Sequence, residues 1–337
     1  MILIWVKFLI CVVLILFFGT KLARYGDVIA EKTGLSGIWV GLLLLAIVTS
    51  LPEIITGFSA IIVVGDPGGP DLAMGTIFGS NALNLFIIAL LDITYRRGPL
   101  LTKASNEHKL SAGLGILLIA FAGASIFLST RVWEGGICWV GIYSLVLVIL
   151  YLLGSRWIFR RERNRPSVET ISLRYKNISS RRAYLGFGIV AIAIIGTGTW
   201  LAMVGDDIAV VTGLGTTFVG SLFLAITTSL PELVVCFAAL RIGAVDMAIA
   251  DVLGSNMFNM GIGVASFDLF YGSASIFSAA SQTHIITTAT VVLMSLIVVA
   301  GLTFQTKRKT PIAMSWYAPV LLVVYVTGAY FIFHMGT

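Results

Sequence analysis

Stretches of apolar sequence long enough to cross a bilayer, about 20 residues of helix each, recur along the whole chain. They fall near 2–19, 37–64, 71–94, 109–130, 133–153, 184–205, 214–240, 246–267, 283–304 and 312–334. The pattern predicts an all-α, polytopic membrane protein with ten transmembrane helices in two sets of five. Residues 1–153 form the first set, 154–183 a basic linker and 184–337 the second set. Residues 2–19 lack the basic start and the cleavage site of a signal peptide, so a retained first helix is expected.

Polar residues inside the apolar runs carry a second pattern. The octapeptide A-I-V-T-S-L-P-E from Ala46 to Glu53 returns as A-I-T-T-S-L-P-E from Ala225 to Glu232. Over Ala46 to Ala60 against Ala225 to Ala239, 9 of 15 positions are identical. Each copy is followed by G-S-N-x-x-N, at Gly79 to Asn84 and Gly254 to Asn259, so the motifs span 46–84 and 225–259. A duplication that keeps Ser, Thr, Glu and Asn within apolar sequence is duplicating a polar site.

Charge then sets the topology. Of the 22 Lys and Arg residues, all but Lys7 and Arg131 lie in the loops that follow the first, third, fifth, seventh and ninth runs. The positive-inside rule makes those loops, the basic linker among them, cytoplasmic and leaves both termini outside. Five helices per set is an odd number, so the second set enters the membrane upside down relative to the first. Inverted repeats of this kind place a substrate site at the midplane, between the repeated motifs. The net charge of +6 therefore reflects topology and implies no nucleic-acid partner. A cell-membrane location, with the lipid bilayer as the surroundings and no obligate protein partner, follows from the same reading. Three cysteines, Cys11, Cys138 and Cys236, sit in apolar runs without C-x-x-C spacing, so neither a disulfide framework nor a zinc site is expected.

The chemistry of the duplicated residues is all oxygen. Pro52 has no N–H to give the carbonyl of Val48, and Pro231 leaves that of Thr227 free, so each helix is expected to open for about a turn beside its acid. Thr49 and Ser50 precede Glu53 by one turn, as Thr228 and Ser229 precede Glu232, which puts hydroxyl and carboxylate on one face. Ser80 with Asn84, and Ser255 with Asn259, add i, i+4 pairs. Such donors suit hard cations such as Na⁺ and Ca²⁺ rather than Zn²⁺ or Cu²⁺. A lone membrane Ser or Thr most often bonds back to its own helix. Two buried Glu at repeat-equivalent positions, each costing at least ~2.5 kcal/mol unpaired on insertion scales, argue for an ion site. Asp71 and Asp246, at equivalent helix starts, read as N-caps. His108, His284 and His334 are not spaced as metal ligands.

The paired T-S-L-P-E and G-S-N-x-x-N motifs resemble the two repeats of the sodium/calcium exchanger branch of the Ca²⁺/cation antiporter superfamily. The resemblance covers nearly the whole chain. It implies that Glu53 and Glu232 are the central carboxylate ligands and that Thr49, Ser50, Thr228 and Ser229 give hydroxyl or backbone oxygens. It further implies that Ala46 and Ala225 offer carbonyls, and that Ser80, Ser255, Asn84 and Asn259 complete the cluster. Alternating access would slide residues 2–19 and 184–205 past a fixed core. There are two departures: well-characterised members carry Asp where this chain has Asn259, and the usual G-N-x-x-G-S reads A-D-V-L-G-S from Ala250. Asp251 then either restores part of the lost charge or sits idle at an aqueous mouth.

These features lead to a secondary active antiporter, Na⁺-driven and extruding Ca²⁺, with no cofactor beyond the transported ions. A proton-coupled antiporter is the alternative within transport, because a Glu in low dielectric can titrate near neutrality and carry H⁺. An intramembrane enzyme using Glu53 and Glu232 as acid and base is the alternative of another class; the lack of a nucleophile or His dyad speaks against it.

Overall fold

The computed structural model describes residues 2–66, 68–131, 135–137, 139–163, 174–213, 223, 225–305, 309 and 314–336. Seven helices among them are long and apolar enough to span a membrane: α1 (Ile2–Thr33), α2 (Gly37–Val64), α3 (Gly68–Thr94), α4 (His108–Arg131), α5 (Ile142–Arg163), α6 (Ser180–Thr212) and α9 (His284–Thr303). Three further apolar helical stretches bring the number to ten. They are α7 (225–241), α8 (245–271) and α10 (Tyr317–Gly336). The first part of the seventh apolar run, 214–222, lies outside the described residues, as do Cys138, Lys307 and Arg308.

Three helices outrun their apolar stretches by several residues or more. In α1 the buried face continues through Leu22, Ala23, Val28 and Ile29, past Lys21 and Arg24, so hydropathy alone underestimates its length. The same holds for α6, whose start is capped by Ser179 accepting from the backbone N–H of Arg182 at 3.3 Å. Between α4 and α5 the expected helix from residue 133 is replaced by a small antiparallel hairpin, β1 (Gly136–Ile137) with β2 (Val140–Gly141), and α5 begins only at Ile142. At its far end α5 runs on to Arg163, so the polar stretch between the halves is shorter than composition suggests.

The helices sort into a core and a pair beside it. Helices α2, α3, α7 and α8 pack on one another, while α1 and α6 lie side by side along α7 and α2. On the outer faces of α1 and α6, Leu3, Leu9, Val13, Ile189, Ile192 and Met203 are exposed, which suits lipid. Two of the glycines at close approaches bear on the repeated motifs. A Cβ on Gly254 would lie 2.3 Å from the carbonyl oxygen of Leu42, so α8 touches α2 backbone to backbone. A Cβ on Gly198 would lie 2.7 Å from Cγ of Pro52 and 3.2 Å from Cγ of Pro231, so α6 crosses directly over both repeated prolines.

Polar cross-links bind the two halves at symmetric places. Asp71 and Asp246 stand in the first turns of α3 and α8, but they do not cap them. Each instead reaches the other half: Asp71 accepts from the backbone N–H of Ser281 at 2.8 Å and pairs with His284 at 2.9 Å, while Asp246 accepts from Ser105 N–H at 2.7 Å and pairs with His108 at 2.8 Å. The N-cap reading is corrected, because the loops leading into α4 and α9 close over these carboxylates. At the opposite ends of the same helices, buried Asp92 and Asp268 act likewise. Asp92 accepts from the N–H groups of Leu100 and Ser315 at 2.9 and 2.8 Å, and Asp268 from those of Gly141 and Ile276, both at 2.7 Å. Main-chain groups that could not remain unpaired in a membrane are thereby satisfied.

Candidate functional site

Sequence reading expects Pro52 and Pro231 to open their helices equally, and they do not. Around Pro52 the helix is continuous from Ala46 to Ser59, and the slack is taken up on either side by wider π turns at Val40–Leu45 and Ala60–Val64. Such turns are frequent at functional sites. In α7 the helix breaks at Ser229 (φ −95°, ψ 16°), and Pro231 enters the first turn of Leu230–Arg241, where its missing N–H costs nothing. The backbone stays anchored by Ser229 N–H to Ala225 O and Leu233 N–H to Ser229 O, each 3.2 Å.

The two acids meet in the interior. Glu53 and Glu232 are both wholly buried. Oε1 of Glu53 accepts from Ser80 at 3.1 Å and from Ser229 at 3.2 Å, and those two hydroxyls are themselves 2.9 Å apart. Oε1 of Glu232 accepts from Ser50 at 3.4 Å. Each carboxylate is therefore served by a serine from the other repeat. Thr49 bonds back to the carbonyls of Leu45 (3.1 Å) and Ala46 (3.4 Å), and it also reaches Ser255 and Asp251, both at 3.4 Å. Thr228 bonds back to Ala225 at 3.0 Å, so the Ala225 carbonyl is shared with its own helix.

Asn84 and Asn259, both fully buried, join the asparagines of the opposite repeat. Nδ2 of Asn84 donates to Oδ1 of Asn256, and Nδ2 of Asn259 to Oδ1 of Asn81, both at 3.0 Å. The pairing is two-fold symmetric and involves Asn81 and Asn256, the third residues of both G-S-N-x-x-N motifs, which sequence reasoning passed over. Their repetition was the available signal. Asp251 is fully buried, with no exposure to an aqueous mouth. The other functional candidates missed are Asp92 and Asp268, each the head of a repeated D-x-x-Y that ends at Tyr95 and Tyr271.

Four oxygens of this interior have no hydrogen-bond partner among the described residues: Oε2 of Glu53, Oε2 of Glu232, Oδ1 of Asn84 and Oδ1 of Asn259. They form two repeat-equivalent pairs. Among the described residues no Lys, Arg or His makes an ion pair with either Glu. Buried oxygens of this kind are costly unless something positive satisfies them.

A family model described as sodium/calcium exchanger protein matches residues 3–157 and 182–333. The chain belongs to the sodium/calcium exchanger family. Similar proteins include the inner membrane protein YrbG of Escherichia coli, 28% identical over 257 residues that cover 73% of this chain and 74% of that one. The sodium/calcium exchanger MaX1 of Methanosarcina acetivorans is 26% identical over 345 residues, 93% of each chain. A solved structure of the sodium-calcium exchanger NCX_Mj, soaked with Na⁺ and Sr²⁺, superposes with a TM-score of 0.73 at 22% identity over 97% of both chains. That likeness extends the exchanger fold to the full length of this chain. As a family member this exchanger is a membrane transporter that moves cations across the bilayer.

Proposed function

We propose that this exchanger couples inward flow of Na⁺ to extrusion of Ca²⁺ by letting the two ions compete for the Glu53/Glu232 cluster. The observation that carries the reading is the set of four buried, unpartnered oxygens on Glu53, Glu232, Asn84 and Asn259. Carboxylate and amide oxygens, with Ser50, Ser80, Ser229 and Ser255 at the same centre, form a hard donor set. Thr49 and Thr228 hold the adjoining carbonyls of Ala46 and Ala225 in place through their back-bonds. The oxygen pair at Glu232 also fits a shared ion, whereas those at Glu53, 2.9 to 3.2 Å apart, are closed to hydrogen-bond distance. Ligands at 2.3–2.6 Å around an octahedral cation stand roughly 3.3–3.7 Å from one another, whereas a neutral hydroxyl bond closes to about 2.7–2.8 Å. Ser50 stands 3.4 Å from Glu232, in the former range.

Alternating access needs an element that moves and one that does not. The core of α2, α3, α7 and α8 is tied across the halves by the Asp71–His284 and Asp246–His108 pairs, while α1 and α6 run beside it. The glycine surface that α6 presents to the two prolines lets it slide without interlocking. The charge distribution supports cytoplasmic placement of the basic segment between α5 and α6 and external termini.

Purified protein in liposomes should take up ⁴⁵Ca²⁺ when Na⁺ is high inside and low outside, and an imposed pH gradient alone should not drive uptake. Uptake driven by protons and indifferent to Na⁺ would sink the Na⁺-coupled reading.

A further inference from the structure

We propose that Asp251 is a third anionic ligand of the site, standing with Thr49, Ser255 and Glu232 around a cation position that has no counterpart in the first repeat. The proposal rests on the cation-exchange reading above and concerns where the site keeps its charge.

Superposing the G-S-N-x-x-N motifs pairs Asp251 with Thr76, whose hydroxyl turns away to bond Leu72 O of its own helix at 2.8 Å. Symmetry therefore does not require an acid here, and no structural device of the fold is lost without one. Asp251 is nonetheless fully buried. Its partners are poor ones for a carboxylate. Oδ1 has Thr49 Oγ1 at 3.4 Å, but that hydroxyl owns a single proton and stands nearer to Leu45 O, at 3.1 Å. Oδ2 has the Cys236 thiol at 3.4 Å, a weak donor that is equally close to Ala248 O. Among the described residues no Lys, Arg or His forms an ion pair with Asp251. A buried carboxylate with only shared donors is strongly disfavoured unless a cation joins it.

The surroundings supply the rest of a coordination shell. Thr49 is in contact with Asp251 and with Ser255, both at 3.4 Å. Cys236, whose thiol lies 3.4 Å from Asp251, stands one turn after Glu232 on the same face of α7, which brings Glu232 to the neighbouring turn. Oxygens gathered around one hydroxyl at 3.4 Å, rather than closed onto it, have the spacing of ligands about a common ion. Glu232 also has its second oxygen free of protein partners. The position is thus bounded by two carboxylates and two hydroxyls, a donor set for Na⁺ or Ca²⁺. The acid absent at Asn259 has in effect moved two helical turns along α8, to the face that meets α2.

Equilibrium binding of ⁴⁵Ca²⁺ to the purified full chain in detergent, alone and against increasing Na⁺, tests this apart from transport. Asp251→Asn is isosteric and should weaken Ca²⁺ binding by about tenfold or more, the order expected for loss of a charged ligand. It should also weaken Na⁺ binding, read as a larger inhibition constant for Na⁺ after correction for the weaker Ca²⁺ binding. Thr76→Val at the equivalent place in the first repeat should change neither. The double variant Asp251→Asn/Asn259→Asp, which returns the charge to the other motif position, should recover part of the loss. If Asp251→Asn does not elute as a folded species, Asp251→Ser carries the same expectation. Unchanged Ca²⁺ and Na⁺ binding in the uncharged variant overturns the proposal. Absence of Ca²⁺ and Na⁺ binding by the unaltered protein overturns the cation-exchange reading itself.

Discussion

The helices that carry Glu53 and Glu232 share nearly the same octapeptide and solve its proline differently. In α2 the chain stays helical through Pro52 and widens on either side of it; in α7 it breaks at Ser229, before Pro231. A proline forbids one hydrogen bond but does not say which neighbouring turn must adjust. Packing decides that. The break frees Ser229 to lean across the interface, where it meets both Glu53 and Ser80 within 3.2 Å. Ser50, held in regular helix, reaches Glu232 at 3.4 Å only. A motif pair that is symmetric in sequence thus surrounds two acids unequally, and Asp251 deepens the inequality on the Glu232 side.

The severest way to break the comparison is to neutralise each acid in turn. Glu53→Gln and Glu232→Gln should both reduce Na⁺-dependent ⁴⁵Ca²⁺ uptake to background, since each supplies half of the paired charge at the midplane. If one variant kept near-normal uptake, the acids would not share an ion. The serines should show the difference next. A hydrogen bond to a charged group contributes about 1.5–3 kcal/mol when well formed, so Ser229→Ala should weaken Ca²⁺ affinity by ~10-fold or more and Ser50→Ala by less. Equal losses in the two binding curves would show that the unequal distances carry no energy.

Gly198→Val sharpens another side of the contrast, because its side chain would press on Pro52 first. Uptake rate should fall several-fold while Ca²⁺ binding in detergent holds within about twofold, the pattern of a motion impeded rather than a ligand lost. Smallest should be the effect of His108→Asn and His284→Asn. Asp246 and Asp71 keep their backbone N–H donors in these variants, and their side chains remain 40% and 44% exposed, so each change should cost at most about 1 kcal/mol in thermal stability. A larger loss from one than the other would show that the two ends of the core are not equivalently tied.

Much of this was legible beforehand. Ten spans, their inversion and the meeting of Glu53 with Glu232 follow from hydropathy, charge bias and a repeated octapeptide. What escaped depends on contacts between segments distant in sequence. No local pattern marks the hairpin at 136–141, because its residues are as apolar as those of a helix. Asn81 and Asn256 were visible within the motif, yet only the fold pairs them with Asn259 and Asn84. Asp71 and Asp246 look like caps in sequence because an acid in a first turn usually serves its own helix; here the donors come from Ser281 and Ser105 of the opposite half.

The tethers at Asp268 grip only main chain, through the amides of Gly141 and Ile276. An anchor that recognises no side chain asks nothing of the residues it holds beyond the path they trace. Apart from Gly136 and Gly141, where a side chain would meet the neighbouring chain, the hairpin and the turn ahead of α9 can therefore drift in composition over evolution, while the geometry deep in the bilayer stays put.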